Sequence, residues 1–515
     1  MSRTTLALVL AHALVARADD AAVTERAGDS ADPLDLRLTL SSFLYRESGA
    51  DAPALVDQGA PVENASPVRR YFGDLRIELS GEGLSLDARV RQTTSRRFQS
   101  GAGAGGEYDV RTASFQLGGE RRALVLGRQY LDGLGGSKLD GLAFRQRLGR
   151  PLTATVFAGA FPVPGSRSLD TDYPELRMED GTEGRRLIPI AAGLGLGVTT
   201  GGYHGDLGAA AVYVPQEAPM ATAEERSRVI VAATGFYRAG TRAELHHFVL
   251  ADIAGGSGAA LSNGNVGATL HVTADVQLTG SVHHTSTDVL QIAARNALED
   301  PDPSAIGIVQ NNIAVLRVAR DAARAGASVA MARRRFELSL SGGLHRRPEV
   351  AVELADGTGA VAFPEQRTAD ATLSLLDRRS LGGTRLAVSG TLTQPLRAGA
   401  PGLARGTALR ASASRGFAQD RAQVEVDAMA GRFRTIGERG ACTDSLDPLA
   451  CYSASTTTLA QAGVLVTWRA SREWLLLADV HLGYRTTDST TLAGALAWPA
   501  VHTLSGYVRA QWRFR

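Results

Sequence analysis

The feature that most restricts how this chain can fold is a strict alternation of apolar and polar side chains, repeated over nearly its whole length. From Asp74 to Arg91, Leu75, Ile77 and Leu79 alternate with Asp74, Arg76 and Glu78; after Gly81-Glu82-Gly83, Leu84, Leu86, Ala88 and Val90 alternate with Ser85, Asp87, Arg89 and Arg91. Successive side chains of an extended strand point to opposite faces, so this stretch is a hairpin with one apolar and one charged face. The same pattern returns at Leu34 to Leu40, Ala268 to Val282, Phe336 to Leu344, Ala422 to Ala430 and Leu504 to Phe514. No long amphipathic helix competes over most of the chain, and no run of about 18 consecutive apolar residues would make a membrane helix.

Alternation alone fits either stacked soluble sandwiches or a barrel that turns its apolar face to lipid. Connection length separates the two. About 22 strands can be read between residues 34 and 515, within a range of about 18 to 24. Even-numbered strands mostly end in tight connections, as at Gly81-Glu82-Gly83, Gly118-Gly119, Gly149-Arg150 and Ala470-Ser471. Odd-numbered strands end in long ones: 47–67, 99–106, 162–187, 215–226, 286–321, 347–365, 434–454 and 486–502. Short periplasmic turns alternating with long extracellular loops are the layout of an all-β, transmembrane antiparallel up-and-down β-barrel in the outer membrane of a Gram-negative bacterium. A sandwich has no reason to sort its loops by parity.

Residues 1–18 read as a signal peptide, with Arg3 before a short apolar core and Ala16-Arg17-Ala18 as the cleavage motif. The expected organisation is this signal, a short periplasmic segment over 19–33, and the barrel over 34–515. Of 515 residues 55 are basic and 53 acidic. That balance argues against a nucleic-acid partner, which would favour a clustered basic excess. Two cysteines exclude a cysteine-rich metal module. Cys442 and Cys451 share one long loop, where a loop-closing disulfide is expected in preference to a metal pair. No cofactor or metal is expected.

The charged faces place Arg37, Arg76, Arg89, Arg91, Arg421, Arg509 and Arg513 among Asp35, Asp74, Glu78, Asp87, Glu425, Asp427, Glu473 and Asp479. So many mutually neutralising charges suit a wet lumen, because burying unpaired charge is costly. A barrel this wide needs its lumen narrowed by loops, occupied by a partner or left open, since residues 19–33 are too few for a plug. Two loops are candidates for the constriction. The acidic loop 162–187 carries Asp170, Asp172 and Glu175. Loop 286–321 leads into Ile313–Arg324, where a short helix would put Arg317, Arg320 and Arg324 on one face. Acids opposite arginines would set a transverse field across a narrow pore. A solvated surface loop is the plainer reading of both, and Ile313 to Arg320 also reads as a strand.

Glu244, His246, His271, Ser281 and His283 are expected on the lumen face, with His246 and His271 at similar height; a metal or general-base pair is the sharper reading and a plain polar cluster the bland one. Gly101, Gly103 and Gly106 match G-x-G-x-x-G, but no helix follows to receive a pyrophosphate.

The last strand alternates Leu504, Gly506, Val508, Ala510, Trp512 and Phe514 with Ser505, Tyr507, Arg509, Gln511 and Arg513, and it resembles the terminal strand of bacterial outer-membrane proteins. That resemblance implies recognition by the barrel-insertion machinery, with Arg515 after the closing aromatic as a departure. Aromatics at Tyr45, Tyr71, Phe72, Phe98, Phe161, Phe433, Trp468 and Tyr484 are expected at the membrane interfaces. Leu126-Gly127-Arg128-Gln129-Tyr130, Asp140-Gly141 and Val156-Phe157-Ala158-Gly159 resemble the Gly-Arg-Gln and Asp-Gly hairpin of porins and alginate-export-type barrels. The resemblance implies a non-enzymatic channel for passive diffusion of small hydrophilic solutes, with Arg128 either lining the pore or making a structural ladder contact. Its partners would be outer-membrane lipid and the solutes, with a homo-oligomer or an enclosed protein also open. A structural sleeve around another envelope protein is the first rival function; a barrel enzyme is the second.

Overall fold

The computed structural model describes residues 34–48, 54–55, 68–81, 83–96, 102–119, 121–163, 169–173, 186, 188–215, 227–254, 259–286, 319–353, 360–363, 365–396, 404–419, 421–436, 452–491, 494–498 and 500–514. Twenty-two long strands form its wall. In chain order they are β1 Asp35–Ser48, β2 Val68–Gly81, β3 Leu84–Arg96, β4 Ala102–Gly118, β5 Arg122–Leu131, β6 Ser137–Arg147, β7 Leu152–Ala160 and β8 Ile190–Thr199. Next come β9 Tyr203–Tyr213, β10 Ser227–Ala239, β11 Ala243–Ala254, β12 Ala260–His271, β13 Val276–Thr285, β14 Arg320–Met331 and β15 Phe336–Arg347. The wall is completed by β16 Gln366–Leu381, β17 Thr384–Pro395, β18 Ala404–Phe417, β19 Ala422–Ile436, β20 Tyr452–Arg469, β21 Trp474–Thr491 and β22 Val501–Phe514. Each strand pairs antiparallel with its sequence neighbours, and β1 closes on β22 from Leu36↔Phe514 to Ser48↔His502. Closure leaves no unpaired edge, which is what a β-structure in lipid requires. Shorter strands decorate the long-loop end: Ala54–Leu55 and Gly494–Ala497 extend the sheet, and Val350–Glu353 pairs with Ala360–Phe363.

The alternation maps onto most of this cylinder, interrupted by register shifts beside Leu250, Asp377 and Tyr452. Large apolar side chains are exposed on the outer face, among them Leu40, Leu75, Leu142, Leu194, Leu207, Leu340, Leu373, Leu409, Val426, Leu482 and Val508. A continuous apolar belt of this extent is a surface for lipid, since soluble monomers rarely expose patches beyond a few hundred Å². Outward aromatics border it: Phe417, Trp468, Trp474, Trp512 and Phe514 at the short-turn end, Tyr71, Tyr213 and Tyr484 at the other. Four aromatics expected in these girdles lie elsewhere. Tyr45 and Phe72 point inward, Tyr45 donating to Glu47 and Phe72 stacking on Phe43, while Phe161 is fully buried and Phe433 takes an inward register position. Aromatic character marks strand ends but not faces; parity marks faces.

Two further expectations are corrected. Residues 320–324 belong to β14 and not to a helix, so Arg320 and Arg324 stand on the wall. The apparent helical stripe is also an every-second-residue pattern that continues as Gly326, Ser328 and Ala330, which is the stronger signal. The glycine-rich stretch read as a loop is instead the start of β4, with Gly103, Gly105 and Gly106 paired to Ser95, Thr93 and Gln92.

Candidate functional site

An inward-folded hairpin narrows the lumen. The turn joining β5 to β6 carries a short 3-10 helix, Asp132–Leu134, and does not continue the wall. It crosses the interior and touches the inner face of β8 and β9, where a Cβ placed on Gly133 would sit 3.2 Å from the Gly195 Cα. A Cβ on Gly135 would fall 2.5 Å from the Phe248 ring of β11. Leu131, Leu134 and Leu139 of the hairpin form one dry cluster with Val125, Ala143, Phe157, Ala191, Ala210, Val212, Ile230 and Ala232 of the wall. This is a small hydrophobic core inside a membrane barrel, and its apolar burial offsets the cost of ordering the hairpin.

A row of glycines allows the bend. Gly127, Gly141 and Gly159 are direct cross-strand partners on β5, β6 and β7. Gly127 adopts φ +105°, a conformation that side-chain-bearing residues rarely take. A Cβ on Gly141 would strike the Ala158 carbonyl and come within 2.6 Å of the Gly159 Cα. The backbones therefore approach more closely than any larger residue permits, and the strands turn inward beyond this row.

Past the row, the hairpin's other face carries a buried charge cluster. The Arg128 guanidinium donates to Asp140 through Nε (2.6 Å) and Nη2 (2.5 Å), to the Val110 carbonyl of β4 (2.8 Å), and to Asp172 (2.5 Å). Lys138 reaches Asp172 at 3.3 Å and Asp109 at 3.5 Å. Asp172 ends a helical turn, Leu169–Asp172, in the long β7–β8 connection and is 0% exposed. Tyr173, next along, donates its hydroxyl to Asp140 at 2.6 Å. Burial, then the bond to Asp140, pushes the Tyr173 phenol well above its ordinary value. Three carboxylates and two cations, all bonded, thus tie one loop, one hairpin and the wall together, as buried charges require.

Of the expected site residues, Arg128 and Asp172 are brought into direct contact. Arg128 is 7% exposed, with its guanidinium bonded to Asp140, Asp172 and the Val110 carbonyl. Asp170 lies on the same helical turn. Glu175, Arg317, Cys442 and Cys451 lie outside the described residues. Arg324 is on the lumen side of β14, between Ser281 and Gly343, and Arg320 two side-chain rows beyond it. Glu244, His246, His271, Ser281 and His283 all take lumen positions, but they are spread out. His246 is level with Gly267, four residues from His271 along β12, so the two imidazoles differ in height by about 13 Å and not by the small offset expected. Glu244 is held at 2.5 Å by Arg238, and no cluster of three or more metal-ligating groups occurs among the described residues. His247 faces outward, stacked on Tyr203.

The remaining wall is charged and wet. Arg76 bonds Asp87 at 2.6 Å and Glu78 at 3.1 Å, Arg91 reaches Asp74 at 3.1 Å over the Phe72 ring, and Arg89 also bonds Asp74. Across the lumen, His345 meets Asp370 at 2.6 Å and Arg410 meets Asp427 at 3.6 Å. The open path therefore runs between an apolar-backed hairpin and a polar wall of mixed charge.

This architecture defines the chain as an outer-membrane type of closed β-barrel with a folded-in constriction. No protein-family model matches it, and no curated protein matches its sequence. Among solved structures it is similar to the siderophore receptor PirA of Pseudomonas aeruginosa, at TM-score 0.45 and 10% identity, covering 93% of this chain and 80% of that one. It is also similar to OccK7 (OpdD) of the same organism, at TM-score 0.37 and 9% identity over 93% and 99% of the two chains, and to a bacterial polysaccharide outer membrane secretin, at 0.31 and 10% over 72% and 100%. Likenesses this distant carry no argument about what passes through the lumen; the barrel stands on its own closed register.

Proposed function

We propose that the protein is an outer-membrane porin-like channel through which small hydrophilic solutes diffuse passively. The observation that carries this is the hairpin: it fills part of an otherwise wide barrel and leaves the rest bordered by polar and charged side chains. A dry plug would line that space with apolar groups, and a catalytic site would gather its reactive groups; the lumen histidines instead stand apart. Charges on the wall set which solutes enter where the path is narrow.

A sleeve around another envelope protein is the less supported reading, because the hairpin occupies room that such a partner would need. Purified protein in a planar bilayer decides between them. A channel gives stable open steps, with reversal potentials under a salt gradient reporting ion preference. A barrel that inserts with full heat-modifiable gel migration yet passes no current is not a channel.

A further inference from the structure

Among the described residues, the outer face carries a charged feature that a pore does not need. Three neighbouring rows of side chains can be followed across β18, β19, β20 and β21. Leu409, Ala430, Ala460 and Tyr484 form the top of the apolar belt. One outward step above it stand Thr407, Arg432, Thr458 and Thr486, and one further step up stand Arg405, Arg434, Thr456 and Asp488. Arg405 and Arg434 are directly opposed cross-strand partners, and all three arginines are exposed. None of them has an ion-pair or hydrogen-bond partner among the described residues. Asp488, the acid in the same row, is two strands away from Arg434, about 10 Å across the sheet.

This arrangement opposes two rules of sheet stability. Like charges directly across a strand pair repel, and cations at the edge of an apolar belt lose part of their hydration. By contrast, Arg346 and Arg367, opposed in the same way across a strand pair, share the Glu365 carboxylate at 2.5 and 2.8 Å. Among the described residues the Arg405, Arg432 and Arg434 patch lacks that counter-charge, and it stands just above the top row of the apolar belt. Guanidinium forks match phosphate oxygens in bidentate pairs, and the threonine hydroxyls alongside supply further donors.

We infer that Arg405, Arg432 and Arg434 form a binding site for the phosphorylated headgroup of an outer-leaflet glycolipid. The site rests on the lipid-facing orientation of the barrel and not on its conducting solutes. Three arginines whose backbone positions lie within about 8 Å of one another suit a headgroup with more than one phosphate. Occupied, the site would anchor one side of the barrel at a fixed depth.

The test is native mass spectrometry of the detergent-purified full chain with added diphosphoryl lipid A, dephosphorylated lipid A or inorganic phosphate. The parent is expected to retain diphosphoryl lipid A, and R405Q/R432Q/R434Q to retain at least about tenfold less. The triple lysine variant, keeping charge but losing the fork, is expected between them. Heat-modifiable migration of each variant reports folding; should the glutamine variant misfold, the single variant R405Q against R415Q, an outward arginine at the opposite end, gives the same comparison. Equal retention by parent and variants overturns the inference, as does equal retention of phosphorylated and dephosphorylated lipid. Displacement of the lipid by millimolar inorganic phosphate overturns the assignment to a lipid. A silent barrel that still retains lipid A removes the channel function alone.

Discussion

Replacing Asp172 by Ala tests whether the buried charge cluster sets the width of the lumen. Asp172 is 0% exposed and accepts from Arg128 at 2.5 Å and from Lys138 at 3.3 Å, so its loss leaves two cations facing a site built for three carboxylates. Removing one member of a buried ion pair typically costs about 3–5 kcal/mol. Arg128 keeps Asp140 and Lys138 keeps Asp109, which places this case at the lower end, about 3 kcal/mol. That shifts the docking equilibrium of the turn from Leu169 to Tyr173 by more than about a hundredfold. The barrel wall does not depend on this segment, so heat-modifiable migration is expected to be unchanged. Single-channel recording should show higher conductance with more frequent switching between levels. D172N keeps the shape and one acceptor but not the charge, and is expected to give a smaller change in the same direction. If D172A inserts normally and its conductance and noise equal the parent's, the cluster does not hold the constriction and the reasoning fails.

Gly141→Val is expected to abolish the inward bend, because its Cβ has no room beside the Ala158 carbonyl and Gly159; protease access to the β5–β6 hairpin in the inserted barrel should rise, and an unchanged digestion pattern would refute the bend as the cause. Val480→Arg, at an outward position that is 47% exposed and lies between the Trp474 and Tyr484 rows, should lower unfolding stability in lipid by about 2–4 kcal/mol, whereas Thr372→Arg on the lumen face should change it little. Urea titration of the two in vesicles checks this, and equal effects would mean that lipid does not contact the belt. The Tyr173 phenol should lose its grip at high pH. Its pKa is raised in the docked state, so its contribution is complete below the undocked value near 10 and declines as pH rises past it. Conductance is therefore expected to increase reversibly above about pH 10, and Tyr173→Phe should remove that part of the pH dependence.

The wall was legible because one face of each strand meets lipid and the other water, so period-two patterning and loop parity repeat the same message 22 times. Errors arose where two signals overlapped. Residues 320–324 satisfy helical and strand periods at once, and only the pairing of β14 with Ser281–Thr285 decides between them. The relative height of His246 and His271 depends on register, which side-chain pattern leaves free by steps of two residues. The cluster around Arg128 was half visible: the Gly-Arg-Gln and Asp-Gly pairs drew notice, but a buried clamp and a pore-lining residue look alike in one dimension.

What hid the constriction was the expectation that a long loop must make it. The hairpin that does so is joined by only five residues, 132–136, between β5 and β6. Its signature lies in the wall it packs on. Ile190 to Val198, Leu207 to Val214 and Val229 to Ala233 are apolar or glycine on both faces, unlike the charged inner faces of β1 to β3 or β19 to β21. A strand apolar on both faces is covered on both faces. In a barrel whose outer cover is lipid, the inner cover has to be protein. The small residues Ala191, Gly193, Gly195 and Gly208 further mark where that protein comes closest, since Gly208 could not carry a Cβ beside the Gly133 carbonyl. The folded-in hairpin follows from the polarity of strands that it does not belong to.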